Sequence, residues 1–185
     1  MRAAALAATM TELADAGYAS LTLDGVARRA GVHKTTLYRR WGTREAIVLE
    51  AMLEYASERV PIPDTGSLHD DLLALASSAA ATATTPQGEA MVRAVAAAGG
   101  HDAALAAANH RFWTERLALD GEIVKRAVAR GEARPDVDPV EVIEAVLGPI
   151  YFRLLVTGNR PGRAFIERIV DLAAGGATAS CEPRT

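Results

Sequence analysis

The sequence predicts an all-α fold, and three observations predict it. Alanine, the strongest helix former, fills 39 of the 185 positions. Aromatic residues make up only 5% of the chain, and β-branched residues are sparse. No stretch alternates apolar and polar side chains over a strand's length between turn formers. The periodic segments add up to about nine helices.

Leu6, Met10 and Leu13 mark a first amphipathic helix that stops at Gly17. Thr22 is a good N-cap for a short helix from Leu23 to Ala30, which Gly31 ends. A second short helix runs from about His33 to Arg40, and Gly42-Thr43 breaks and recaps the chain. A fourth covers Arg44 to about Glu58, with Ile47, Val48, Ala51 and Tyr55 inward. Two prolines and a glycine then make Val60 to Gly66 the clearest linker. Helices follow from about Ser67 to Thr84 and from Pro86 to Gly99-Gly100. A long one, capped by Asp102, reaches Arg130 and loosens at Asp120-Gly121. After a break at Gly131 to Pro139, Val140 to Val156 is apolar on most sides and should kink at Pro149. Pro161 opens a last helix that frays after Gly175.

The length can bury a core without disulfides or a metal, and the single cysteine, Cys181, lies in a polar tail. No apolar run reaches a membrane span, and the opening residues are too weakly apolar for a secretory signal. A cytoplasmic chain is therefore the default expectation. The net charge of −3 hides an asymmetry. Arg28, Arg29, Lys34, Arg39, Arg40 and Arg44 form a basic island without an acid, which leaves −9 on the remainder. One surface built for a polyanion is the natural reading; the plainer one, a solvated helix face, would usually mix signs.

Two short helices joined at a glycine, with the island on the second, suggest a helix-turn-helix. Counting from Leu23, the fourth, eighth, tenth and fifteenth residues should be apolar, and they are Val26, Ala30, Val32 and Leu37. The fifth should be small and the ninth should tolerate positive φ; they are Ala27 and Gly31. With Leu37 facing inward, Trp41 and His33 fall within about 40° of it, while Thr35 and Arg39 point away. The outward face is thus Lys34, Thr35, Thr36, Tyr38, Arg39 and Arg40. Such a helix suits the major groove, with Thr35, Thr36 and Arg39 toward bases. Lys34, Tyr38, Arg40 and Arg44 suit phosphates, and Thr22 and Arg28 complete the expected DNA-binding set.

The run from Leu21 to Glu45 closely resembles the signature of the TetR/AcrR family of bacterial transcriptional regulators. The resemblance rests on the Ala27…Gly31-Val32 turn, Leu37-Tyr38, Trp41 and the Arg44-Glu45 pair. Val146 to Leu155 is similar to the eighth helix of one branch of that family. Two positions depart from the pattern: His33 stands where a serine cap is common, and Thr35 where a small residue is frequent. The resemblance implies a homodimeric, ligand-responsive repressor that binds a pseudo-palindromic operator in double-stranded DNA. It places a DNA-binding domain at 1–45, an effector-binding and dimerisation domain at 46–176, and a tail at 177–185. The linker after the fourth helix is then where motion is transmitted.

For the small-molecule effector, the larger side chains of the middle helices are candidates: Met91, Val95, Phe112, Trp113, Leu117 and Tyr151, with His110 or Arg93 as polar anchors. For any one of them, plain core is the favoured reading. The dimer candidates lie on the last two helices: Ile143, Leu147, Ile150, Leu154, Phe165, Ile169 and Leu172. A monomeric bundle core is the rival reading of that apolar surface. His33, His69, His101 and His110 lack metal-ligand spacing, and no phosphate loop is present, so no enzyme, metal or cofactor is expected. Glu122 can pair with Arg126 along its helix. The alternative is a small-molecule binding or helical interaction protein on the same scaffold, with weak or lost DNA binding.

Overall fold

The computed structural model describes residues 1–97 and 103–178. Among these residues there are ten α-helices and no strand: α1 (Arg2–Ser20), α2 (Leu23–Ala30), α3 (Lys34–Trp41), α4 (Arg44–Arg59), α5 (Leu68–Ala83), α6 (Pro86–Ala97), α7 (Ala103–Asp120), α8 (Glu122–Arg130), α9 (Pro139–Phe152) and α10 (Arg163–Thr178). The chain separates into two compact units. One comprises Met1–Arg59 with Thr82–Thr114, and the other Val60–Ala81 with Glu115–Thr185.

In the first unit, α1 packs on α2, α4 and α6, and α3 lies against α2 and α4. Leu6, Leu13, Leu21, Val26, Leu37, Ile47 and Val48 form its interior, which Met91, Ala94 and Phe112 also join. The helix α1 carries a non-helical residue, Gly17 at φ 73°, so the predicted stop becomes a bend followed by one more turn. Residues beyond it satisfy their backbone groups locally, with the Leu21 N–H donating to the Tyr18 carbonyl at 3.3 Å.

The second unit gathers Leu72, Leu75, Ile123, Val124, Ile143, Val146, Ile150 and Val170 into its own core. Here the proline-rich segment after α4 is no slack linker. The Arg116 guanidinium donates to the Val60 carbonyl at 2.6 Å, and Arg126 donates to the carbonyl of Pro63. Buried Asp71 accepts from the Thr65 N–H at 2.6 Å and its hydroxyl at 2.7 Å. Prolines remove donors but leave carbonyls, and these arginines satisfy them.

Several expectations change. The long helix loosens at Gly121, where expected, and goes further by dividing there into α7 and α8; a Cβ at Gly121 would lie 3.3 Å from the Pro139 ring. Glu122 pairs with Lys125 at 2.6 Å, whereas Arg126 turns to Asp64 at 3.5 Å. Pro149 stays inside α9, and the irregularity comes later as a π-turn over Arg153–Thr157. The last helix starts at Arg163 and continues past Gly175 to Thr178 with Ala177 buried. The predicted Asp102 cap, the Gly99-Gly100 stop, His101 and residues 179–185 lie outside the described residues.

Candidate nucleic-acid interface

Local chemistry dictates the α2–α3 hairpin. The Thr22 hydroxyl accepts from the Gly25 N–H at 3.1 Å and starts α2. Gly31, in the left-handed region at φ 66° and ψ 31°, ends it, and the Val32 N–H then returns to the Ala27 carbonyl at 3.0 Å. That is the reciprocal bonding of a Schellman stop, and a side chain at position 31 would strain it. Leu37 is fully buried and Trp41 nearly so, which sets the rotation of α3. Thr35, Lys34, Tyr38, Arg39 and Arg40 are exposed and Thr36 is half-buried, so the outward face has the predicted composition. His33 differs: it is exposed at the N-cap and its side chain caps nothing. The 100° projection placed it inward because it assumed a helix one residue longer.

The basic island is less free than its count suggests. Arg29 is held by Glu12 and Asp15 of α1, at 2.8 Å each. Lys34 lies 3.4 Å from Asp24. Arg44 stacks 4.5 Å from the Tyr18 ring centre and donates to Glu45 at 2.8 Å, while the Tyr18 hydroxyl donates to the same carboxylate oxygen at 2.9 Å. Despite partial burial, these donors hold the Glu45 carboxyl below its ordinary range, and its hydrogen bond raises the Arg44 guanidinium further. Arg44 is thus presented in one geometry at the start of α4. Arg28 and Arg39 have no ion-pair partner among the described residues and carry the most available charge.

The expected effector set is divided between the units. Met91, Val95, Phe112 and Trp113 belong to the first, where the Phe112 and Trp113 rings meet edge-on at 5.2 Å. Met91 and Phe112 are buried core residues. His110 and Arg93 are exposed, Arg93 lying 3.6 Å from Glu89, so neither anchors an interior site. A different polar group is inside: the Asn109 side-chain oxygen is buried without a hydrogen-bond partner among the described residues. Asn109 lines a narrow cleft of about 10 Å³ whose other walls include Val48, Leu49, Met52, Val95 and Leu105.

In the second unit, Leu117 is half-buried and Tyr151 sits near a buried ion pair. Arg116 donates from Nε to Asp120 Oδ2 at 3.0 Å, and its Nη2 lies 2.7 Å from Oδ1. Burial pushes the Asp120 carboxyl up to about 6 against the pull of Arg116. Burial, and then the Asp120 charge, push the Tyr151 phenol up to about 12. Spacing had singled out neither Asn109 nor this pair; an Arg and Asp four apart on one helix were the available signal for the pair.

Four of the predicted dimer residues are corrected. Ile143, Leu147, Ile150 and Ile169 are buried inside the second unit and have almost no surface left to give a partner. Leu154 and Phe165 are half-buried, and the Arg153 guanidinium lies 3.9 Å from the Phe165 ring centre. The exposed apolar side chains here are Phe152, Leu155, Val156 and Leu172, at 57%, 42%, 67% and 77%. Only Leu172 was in the predicted set. Among the described residues, no helix is long and apolar enough to cross a membrane, and no group of three His, Cys, Asp or Glu side chains is placed for a metal.

Comparison with known proteins agrees with this geometry. Residues 5–51 match the family "Bacterial regulatory proteins, tetR family", and residues 62–173 match "Tetracyclin repressor-like, C-terminal domain". The chain is 31% identical to an uncharacterized HTH-type transcriptional regulator, YdeS, of Bacillus subtilis, over 96% of this chain and 89% of that protein. It is 34% identical to a DNA-binding transcriptional repressor, TetR, of Mycobacteroides abscessus, over 91% and 89%. The crystal structure of the TetR family transcription regulator SCO0332 superposes with a TM-score of 0.81 at 34% identity, covering 95% of this chain and 97% of that one. The chain therefore belongs to the TetR family, and is a DNA-binding transcriptional regulator.

Proposed function

We propose that the protein is a ligand-responsive repressor that binds a pseudo-palindromic operator as a homodimer. Residues 1–45 serve as the DNA-binding part and residues 46–176 bind effector and partner. The observation that carries the reading is the outward face of α3, with Thr35, Thr36 and Arg39 toward base edges and Lys34, Tyr38, Arg40 and Arg44 toward phosphates. Thr22 and Arg28 flank it from α2. The exposed Phe152, Leu155, Val156 and Leu172 support dimerisation, with Leu154 and Phe165 at the margin. Asn109 is the candidate polar contact for an effector, because it is the polar side chain lining the apolar cleft of Val48, Leu49, Met52, Val95 and Leu105, which at about 10 Å³ has to open to admit more than a water. Val95 shares that cleft with Asn109 and stays in the proposed effector set, while Trp113 in the first unit and Leu117 and Tyr151 in the second stay separate effector candidates, each within its own unit.

The direct test is fluorescence-anisotropy binding to DNA from around the protein's own gene, against scrambled duplex, across a salt series. Preference for the genomic duplex by about a thousandfold is expected; no binding to either at low salt would move the reading to a ligand-binding or interaction protein. Two variants separate reading from positioning. Arg39→Ala is expected to change base preference. Arg44→Ala is expected to weaken all duplexes alike and lower the salt slope by about one. Equal, sequence-independent losses for both would remove Arg39 from the base-reading set. Asn109→Leu fills the orphan position with apolar atoms, and is expected to leave DNA affinity intact while abolishing release by whatever small molecule releases the wild type. Release that survives Asn109→Leu would take Asn109 out of the effector site.

A further inference from the structure

Trp41, at the C-terminal end of α3, is 9% exposed and carries an indole N–H that burial forces to find an acceptor. The acceptor is Glu50 of α4, whose Oε2 lies 2.6 Å from Trp41 Nε1. The other carboxylate oxygen of Glu50 accepts from Arg2 Nε of α1 at 2.5 Å and lies 3.9 Å from Arg40 Nη2. Arg2 is itself fixed by two further bonds to Glu54, at 2.9 Å each. The Arg40 guanidinium rests 5.1 Å from the Trp41 ring centre. One carboxylate on α4 thus ties down the end of α3, anchors to the first turn of α1, and draws back one of the cations on the DNA-facing side.

We propose that Glu50 is a positioning residue for DNA recognition: it seats the C-terminal end of α3 through Trp41 and restrains Arg40, so that Arg40 engages phosphate fully only when α3 is seated in the groove. The proposal rests on the DNA-binding role of α3. The physical reason is competition. A phosphate approaching Arg40 must displace an ion pair whose acceptor stays in place, held by Trp41 and Arg2. The half-exposed pair is weak, but a loosely docked duplex offers little to offset its loss, whereas a seated one adds base contacts as well. Glu50 therefore lowers non-specific affinity more than specific affinity, and the ratio of the two is what a genome reads.

The test uses the full chain, a duplex selected from a random pool by the wild type, and a scrambled duplex of equal length. Glu50→Gln keeps an acceptor for Trp41 and removes the charge. It is expected to raise affinity for the scrambled duplex about two- to fivefold and steepen its salt slope by about one, with a smaller gain on the selected duplex. Arg40→Ala placed on Glu50→Gln is expected to cancel that gain. Trp41→Phe removes the N–H without altering any charge; it is expected to lower the specificity ratio while leaving the scrambled-duplex slope unchanged. A Glu50→Gln chain with unchanged slope and ratio would overturn the proposal. So would a gain of equal size when Arg40 is already alanine, since that is general repulsion by Glu50 and not restraint of Arg40. A wild type that prefers neither duplex would instead overturn the DNA-binding reading of α3, and this proposal with it.

Discussion

Arg116→Met is expected to lower stability by about 3–5 kcal/mol at pH 7, measured by urea denaturation at fixed chain concentration. Methionine keeps most of the bulk, so the loss reports charge and hydrogen bonding. Arg116 is 6% exposed and Asp120 0%, and the guanidinium also supplies the donor to the Val60 carbonyl. Without Arg116, the carboxyl that burial already holds at about 6 rises further, since the remaining influence is desolvation. The folded wild type binds its Asp120 proton above the ordinary carboxyl value of 3.8, and the folded variant binds it more tightly still. The variant's folded state therefore carries the extra proton at pH values above about 6, and the difference in stability should widen as pH rises through that region. Below it both chains are protonated at Asp120 and the gap should be flat. A gap independent of pH from 5 to 8 would mean that removing Arg116 leaves the Asp120 titration in that range unchanged.

Gly88→Ala is expected to cost about 3 kcal/mol or more, at the upper end of the penalties for overpacking. A Cβ at this position would lie 1.9 Å from the Thr82 carbonyl oxygen, 2.8 Å from its carbon and 2.9 Å from the Ala83 Cα. All three are backbone atoms that no rotamer change can move. The corner between α5 and α6 is held from other directions as well. The Thr85 hydroxyl donates to the Thr82 carbonyl at 2.7 Å and accepts from the Gly88 N–H at 3.1 Å. The Tyr55 hydroxyl meets the same Thr85 oxygen at 2.7 Å. The control is Gly175→Ala in α10, where an added Cβ meets nothing within 4 Å among the described residues; it is expected to be neutral or to gain up to about 1 kcal/mol from helix propensity. Equal midpoints for the two variants would show that the α5–α6 corner relaxes without cost.

The α2–α3 hairpin was legible because its constraints are local. A threonine cap, a small residue at the helix crossing, a glycine that must turn left-handed and four apolar positions at fixed spacing leave little for the rest of the chain to decide. The body was legible as helices but not as sites. Ile143 and Ile150 look like candidate interface residues in one dimension, and they prove to be core because α9 is covered by neighbours that helical periodicity cannot name. His110 and Arg93 failed as anchors for a similar reason: a polar side chain on an amphipathic helix lies on whichever face packing leaves over. The Val60–Gly66 segment reads as a linker from its prolines, yet Arg116, Arg126 and Asp71 hold it in place, and those partners come from residues up to 63 positions away.

By itself, the sequence determined the helical class, the hairpin and its rotation, since each follows from propensity, capping and spacing within a few turns. It also counted six cations on one short stretch. Only the tertiary structure decided which of them are available. Glu12 and Asp15 take Arg29, Asp24 approaches Lys34, Glu45 and Tyr18 fix Arg44, and Glu50 restrains Arg40. Arg28 and Arg39 alone of the six have no such partner among the described residues. Charge composition is additive along a chain, but the pairing of charges depends on which helix faces meet. Those faces are chosen by burial of the apolar side chains, mostly far away in sequence.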